Sequence, residues 1–342
     1  MGGEEKRTMA LSARKHPDYP FRDEHLEATI RLVDTFHADP PLSPIERGEV
    51  LEFVRMTHQY AFLEKLIQGE VRFELPAHLG QIRQTYASIE KQAEEVAAAE
   101  RSLLGLGLEP AEDLPEALDD RGIKVLRRDR GPESPETLTG AFHYPGAHGP
   151  AILVGAVEKS RDAVFILAHE YGHLVMDVDP YASRFCRWRL HDLENANPSK
   201  EERRADRFAR ALLLPEKIVR ECCGSVGAEE HSPEAIGRGA EVFDVSPALL
   251  WRRLEDLKLT RPVEAPPVGG RRRHKVDELR PTDLPERFVN LALAAYAGRV
   301  FEMNDLSRFL RVAPERLENF LTWCQVPREL KREDFVVEEE EG

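Results

Sequence analysis

The sequence predicts an α+β fold: a small, mostly antiparallel sheet set among helices, with helical segments before and after it. Three observations predict it. Apolar residues recur at helical spacing toward both ends of the chain. Between Pro115 and Gly155 that period gives way to short strand-like runs. Two further stretches of helical spacing, 162–176 and 200–214, follow the strands.

Val50, Phe53, Val54, Tyr60, Leu63 and Ile67 fall on one face at spacings of three, four and seven, so residues up to about 75 read as helical. Ile82, Ile89, Val96 and the alanines around them define a second helix between Gly80 and Gly105, with Gly105 or Gly107 as its stop. Pro115 suits the first turn of a short helix and Gly122 its end. Ile123–Leu126, Thr137–Tyr144 and Ala151–Gly155 then read as strands, the last two separated by the turn cluster Pro145–Pro150.

From Asp162 to Met176 the positions Val164, Leu167, Ala168, Tyr171, Leu174 and Val175 form one helical stripe. The stretch from Asp177 to Pro198 shows no period and reads as irregular. The next helix carries Ala205, Phe208, Ala209, Leu212 and Leu213 inward and ends before Pro215, which cannot continue the ladder. Ser246 followed by Pro247 spells an N-cap and first turn, opening a helix with Leu250, Leu254 and Leu257 inward. Three short helices follow a Pro- and Gly-rich stretch, at 285–297, 305–312 and 314–324, the last two joined by a tight turn.

These elements divide the chain into a helical N-terminal segment (1–78), a central α+β domain (79–261), a Pro/Gly and basic linker (262–277), a helical C-terminal domain laid out like a helix-turn-helix (278–330) and an acidic tail (331–342).

Composition excludes several function classes. No apolar run approaches the ~18 residues that span a bilayer, so no integral membrane protein is expected. The first 25 residues hold no apolar core of a secretory signal, and the four cysteines include no C-x-x-C pair, which together suggest a cytoplasmic protein with reduced thiols. With 48 Lys+Arg against 62 Asp+Glu, the net charge of -14 repels phosphate backbones. The basic run Arg271, Arg272, Arg273, His274, Lys275 reads as linker charge. In the last helix the outward face Glu315, Arg316, Glu318, Asn319, Thr322 is not basic, so direct nucleic-acid binding is disfavoured.

The chemistry concentrates in the helix at 162–176. His169, Glu170 and His173 form an H-E-x-x-H pattern. Residues four apart stand one above the other on a helix, so two imidazoles can converge on one tetrahedral ion. Glu170, rotated about a quarter turn away, is placed to reach a metal-bound water without binding the metal, as a general base must. A site of this type needs a third ligand and an open position. Glu202 and Asp206, at i and i+4 on the following helix, supply candidates: one for the ion, the other for the second ring nitrogen of a histidine. Ser199 to Glu202 also spells a capping box, which would fold the glutamate back on its own helix start. If Asn197 caps and Pro198 takes the first turn, Glu202 is free. Spacing leaves both open.

The string H-E-Y-G-H-L at 169–174, E-x-x-A-D-x-F-A at 202–209 and L-L-L-P at 212–215 resemble the ImmA/IrrE family of metallo-endopeptidases. The similarity extends to A-E-x-V-A around 93–97, Leu-Gly-Leu before Pro110, the Gly-Ile-Lys-Val strand and the Val-Ser-Pro opening near 246, and so covers about 90–258. It implies a zincin-like domain, His169, His173 and Glu202 as metal ligands, Glu170 as catalytic base and Asp206 as a supporting carboxylate. It also implies Zn2+ as the metal, with Mn2+ or Fe2+ compatible with the donors, and a protein substrate, typically a helix-turn-helix repressor in stress-response or mobile-element regulation. Residues 1–75 depart from relatives that carry a DNA-binding module there, having no matching Gln-rich recognition turn.

An extended substrate is expected to add a strand along an exposed sheet edge at Ala151–Val154. Tyr181, Arg184 and His191 are candidates for an oxyanion donor, each more simply a surface or packing residue. The alternative function is a regulator or antitoxin-like protein that binds a partner on the peptidase scaffold without cleaving it. A DNA-binding transcription factor is the third reading.

Overall fold

The computed structural model describes residues 13–34, 42–74, 78, 88–111, 113–127, 138–144, 146–155, 160–177, 184–189, 199–223, 233–260 and 284–324. In chain order the elements are α1 (Asp23–Asp34), α2 (Pro44–Gln68), α3 (Ile89–Leu103), α4 (Leu114–Asp120), β1 (Lys124–Arg127), β2 (Leu138–Tyr144), β3 (Ala151–Val154) and α5 (Ser160–Met176). They continue with β4 (Arg184–Arg189), α6 (Lys200–Leu213), α7 (Glu216–Cys223), α8 (Pro233–Val242), α9 (Pro247–Asp256), α10 (Glu286–Ala297), α11 (Met303–Leu310) and α12 (Pro314–Trp323). The sequence expectations for the 262–277 linker, its basic run at 271–275 and the 331–342 tail lie outside the described residues.

The chain divides into two compact units, one of residues 1–37, 47–72 and 279–342, the other of 38–46 and 73–278. The first joins the two ends of the chain. Phe309 of α11 stacks on Phe301 at 4.6 Å and Phe62 at 5.9 Å and meets Phe21 edge-on at 5.0 Å. Beside this cluster the buried Asp305 carboxylate accepts from Arg14 Nε at 2.7 Å, Tyr19 Oη at 2.9 Å and the Glu302 amide at 3.1 Å, which satisfies a charge that burial alone would penalise. Arg287 likewise donates to the buried Glu64 at 2.6 Å. In α12, Leu317 and Phe320 face inward while Glu315, Arg316, Glu318, Asn319 and Thr322 are exposed.

The second unit holds the sheet, ordered β1-β3-β2-β4. β3 runs parallel to β1 (Lys124 opposite Ala151), and β2 is antiparallel to both β3 (His143 opposite Ala151) and β4 (Phe142 opposite Cys186). Two expectations are corrected here. The stretch 177–198 is not wholly irregular, since 184–189 forms β4; with three arginines in six residues it shows no apolar alternation, and its pairing partner lies far back in the chain at β2. Ala151–Val154 is not an exposed edge: β3 is internal and all four residues are buried, as an unbroken apolar run demands.

Local chemistry sets the helix ends that frame this unit. Ser88 caps α3 by accepting from the Lys91 amide, and Gly105, at φ +68, closes it by allowing the Leu106 amide to reach the Arg101 carbonyl. One face of the sheet, including Val125, Phe142, Ile152 and Val154, packs with Ile166, Leu167 and Leu174 of α5, and Phe208 and Leu212 of α6 complete the same core. Helices α5 and α6 meet at Gly172, where a Cβ would stand 2.8 Å from the Phe208 ring and 3.4 Å from the Ala205 Cα. The approach is therefore closer than any side chain at 172 would permit.

Buried guanidiniums fix α6 from its far side. Arg101 donates to the carbonyls of Leu106, Gly107, Glu109 and Leu212, the last near the helix end where carbonyls lack helical partners. Burial pushes its guanidinium down to about 10. Arg253 of α9, with no exposed surface, is bonded to Glu94 of α3 and to the Leu214 carbonyl at 2.8 Å, and Arg207 of α6 also reaches Glu94 at 2.7 Å. These charges hold α3, α6 and α9 in register behind the site.

Candidate metal centre

α5 turns His169, Glu170 and His173 into the unit, where all three are buried. The i, i+4 spacing brings the two imidazoles together, Nε2 to Nε2 at 3.1 Å. α6, held against α5 at Gly172, delivers Glu202 to the same point: Oε2 lies 3.2 Å from His169 Nε2, and Oε1 lies 3.4 Å from His173 Nε2. Among the described residues these three are the group whose donor atoms, within 4.8 Å of one another, could hold a metal ion.

The competition at the start of α6 has a divided outcome. Ser199 is the N-cap, its Oγ accepting from the Glu202 amide at 3.2 Å. The Glu202 carboxylate does not close the box but turns to the histidines, so capping and the site use different atoms of the same residue.

Each histidine is gripped from behind. His169 Nδ1 lies 3.0 Å from Asp206 Oδ1, where Asp206 was expected to sit, and His173 Nδ1 lies 2.7 Å from Asp177 Oδ2. Arg204 bonds the other oxygen of Asp177, and Arg210 approaches the other oxygen of Asp206 at 3.8 Å. Sequence reasoning missed Asp177 and Arg204, although a signal existed: Asp177 continues the i, i+4 row 169, 173 by one more step. Phe142 of β2 lies nearly parallel to the His173 ring, with centroids 6.0 Å apart, and helps fix its plane. Tyr181 and His191 lie outside the described residues. Arg184 belongs to β4, where only the backbone is described.

The hydrogen bonds determine what the cluster can hold. A carboxylate only accepts, so each Nδ1 carries a proton, and a neutral ring then aims its Nε2 lone pair inward. Both Nε2 atoms and the Glu202 carboxylate converge at hydrogen-bond distance, a cluster of donor atoms that a cation would stabilise. Without one, the protein balances these charges by proton uptake. Burial opposes the charged form of His169, but the hydrogen bonds to Asp206 and Glu202 outweigh it and raise its pKa. Burial likewise opposes ionisation of Glu202, yet the two histidines hold its carboxyl far below the usual range.

Glu170 differs from the three convergent residues. Both its oxygens are buried with no hydrogen-bond partner among the described residues, and burial pushes its carboxyl up to about 7. Burial without a partner among the described residues penalises the charged carboxylate and favours its protonated form.

No described helix is long and apolar enough to cross a membrane. A search of curated proteins returned no match. Residues 118–255, which contain the whole sheet, α5, α6 and every residue of the candidate centre, match the family model Peptidase_M78, the IrrE N-terminal-like domain.

Proposed function

We propose, from the match of residues 118–255 to an IrrE N-terminal-like peptidase domain, that the protein is a zinc-dependent endopeptidase with Glu170 as its general base. The observation that carries this reading is the convergence of ligand atoms from His169, His173 and Glu202 beside an acid whose oxygens have no partner among the described residues. The donor set suits Zn2+, while Mn2+ and Fe2+ are compatible with the same atoms.

When bound, a divalent cation would supply Lewis acidity, lowering the pKa of a coordinated water and polarising a peptide carbonyl. The chain does the rest. His169 and His173, oriented by Asp206 and Asp177, and Glu202, delivered by α6, would be three protein ligands, a number that leaves a further position for water or substrate. Glu170, adjacent to His169 in sequence but rotated around α5, accepts a proton from water at a carboxylate oxygen and returns it to the departing amine nitrogen. Its burial excludes bulk water. An extended peptide adds to the sheet only at an edge, and among the described residues β4 is the edge next to β2, the strand whose Phe142 packs on His173.

The substrate we infer is a protein, specifically a helix-turn-helix repressor, because the motifs at 169–174 and 202–215 resemble a family that acts on such partners. The test incubates the Zn2+-loaded protein with the repressor encoded nearest to it. Wild type is expected to cleave the repressor, and Glu170→Gln to bind metal without cleaving. A repressor bound intact and equally by both proteins would favour the non-catalytic regulator instead.

A further inference from the structure

β2 lies on α5 through the face that carries Phe142 and, two residues earlier and so on the same side of the strand, Gly140. Phe142 packs on His173. At Gly140 the space for a side chain is already taken. A Cβ there would stand 2.6 Å from Glu170 Oε1, 3.2 Å from Glu170 Cδ and 2.8 Å from Ile166 Cγ2. Real Cβ atoms do not approach oxygen that closely, so something would have to move. Gly140 is not among the positive-φ glycines, so the close approach rather than the backbone conformation calls for glycine. Immediately before it, the register of β2 against β4 shifts between Leu138 and Gly140.

The third observation concerns what holds Glu170. Its carboxylate has no hydrogen bond among the described residues, so packing against neighbouring atoms fixes its position. The β2 backbone at Gly140 is one wall against the carboxylate oxygen.

We propose that Gly140 is a positioning residue for Glu170: the bare backbone at this point of β2 sets where the carboxylate stands relative to His169 and His173. The inference deepens the peptidase reading and rests on it for its catalytic consequence. Its structural part, the coupling of positions 140 and 170, stands apart from activity.

The test is a double-mutant cycle on the metal-free full chain. Gly140→Ala is expected to lower Tm by about 5 °C when Glu170 is present and by less than half as much when combined with Glu170→Ala, because the truncation removes the atoms the new methyl would meet. The same comparison in an Ile166→Ala background clears the other obstructing atom and keeps the difference measurable if Gly140→Ala alone fails to fold.

In the Zn2+-loaded protein, Gly140→Ala should keep the wild-type zinc affinity and KM for the repressor while kcat falls about 10²-fold, the cost of an ångström-scale misplacement of a reacting group. Equal Tm losses with and without Glu170 in both backgrounds would overturn the proposal, as would a Gly140→Ala protein with wild-type kcat. If wild type cleaves nothing yet the Tm coupling persists, the peptidase reading falls and the packing of Gly140 on Glu170 survives.

Discussion

Removing the Asp177 carboxylate should loosen the hold of the site on a cation more than removing Asp206 does. Each accepts from the Nδ1 of one histidine, at 2.7 Å for Asp177 and 3.0 Å for Asp206. Their surroundings differ: the Asp177 side chain is 11% exposed and that of Asp206 34%, so water screens the first hydrogen bond less. Asp177 is also braced by Arg204 on one side and by its own amide, which donates to the His173 carbonyl at 2.8 Å. Loss of a group that orients a metal-binding histidine weakens metal affinity by about 10- to 100-fold, or about 1.4–2.8 kcal/mol. Asp177→Ala is expected near the upper end and Asp206→Ala near the lower. Asp177→Asn, which keeps the volume and one acceptor oxygen, should recover part of the loss. Competition between each apo protein and a chromophoric chelator for Zn2+ measures the ranking, with circular dichroism to check the fold. A larger loss for Asp206→Ala, or none for either, would refute the reasoning.

Two further predictions concern the frame behind the site. Arg253→Met removes a fully buried partner of Glu94 and should cost about 3 kcal/mol in urea unfolding at neutral pH, since among the described residues it leaves Arg207 alone to neutralise that carboxylate. Burial raises the pKa of Glu94, but the hydrogen bonds and charges of Arg253 and Arg207 outweigh this and bring it below its ordinary value of 4.5. A depressed folded-state value gives stability that is complete above 4.5 and lost as pH falls through the folded pKa, so the gap between wild type and Arg253→Met should narrow on acidification. A gap that widens toward acid would contradict this. Gly172→Ala should lower Tm by roughly 3–10 °C, because its methyl meets Phe208 where α5 and α6 touch, and a paired Phe208→Leu should restore part of the loss.

Features whose cause is local were legible in the sequence. Gly105, Gly122 and the Ser246-Pro247 pair mark helix boundaries because backbone chirality and capping are decided within a few residues. The meeting of His169 with His173 follows from helix phasing, and the reach of Glu202 from the motif similarity. Features that depend on distant partners were not legible. β4 becomes a strand because β2 offers it a ladder, and the helices at the two ends of the chain share one aromatic cluster that neither end announces.

Other misses were readable in principle. The unbroken Ala151–Val154 run signals burial on both faces and hence an internal strand, and Asp177 lies one helical step beyond His173. Ser199 was a true cap, yet the Ser-x-x-Glu string could not say that the Glu202 carboxylate would find two imidazoles instead of its own backbone. Gly140 carries no sequence signal at all, because its role exists only where β2 crosses Glu170.

Titration of the metal-free protein with Zn2+ is the most direct measurement of the centre. Wild type should take up one ion per chain; His169→Ala and Glu202→Ala should lose that uptake, and Glu170→Gln should keep it. A wild-type chain that binds no zinc, or uptake that survives the loss of His169, would contradict the existence of a metal centre at this junction of α5 and α6.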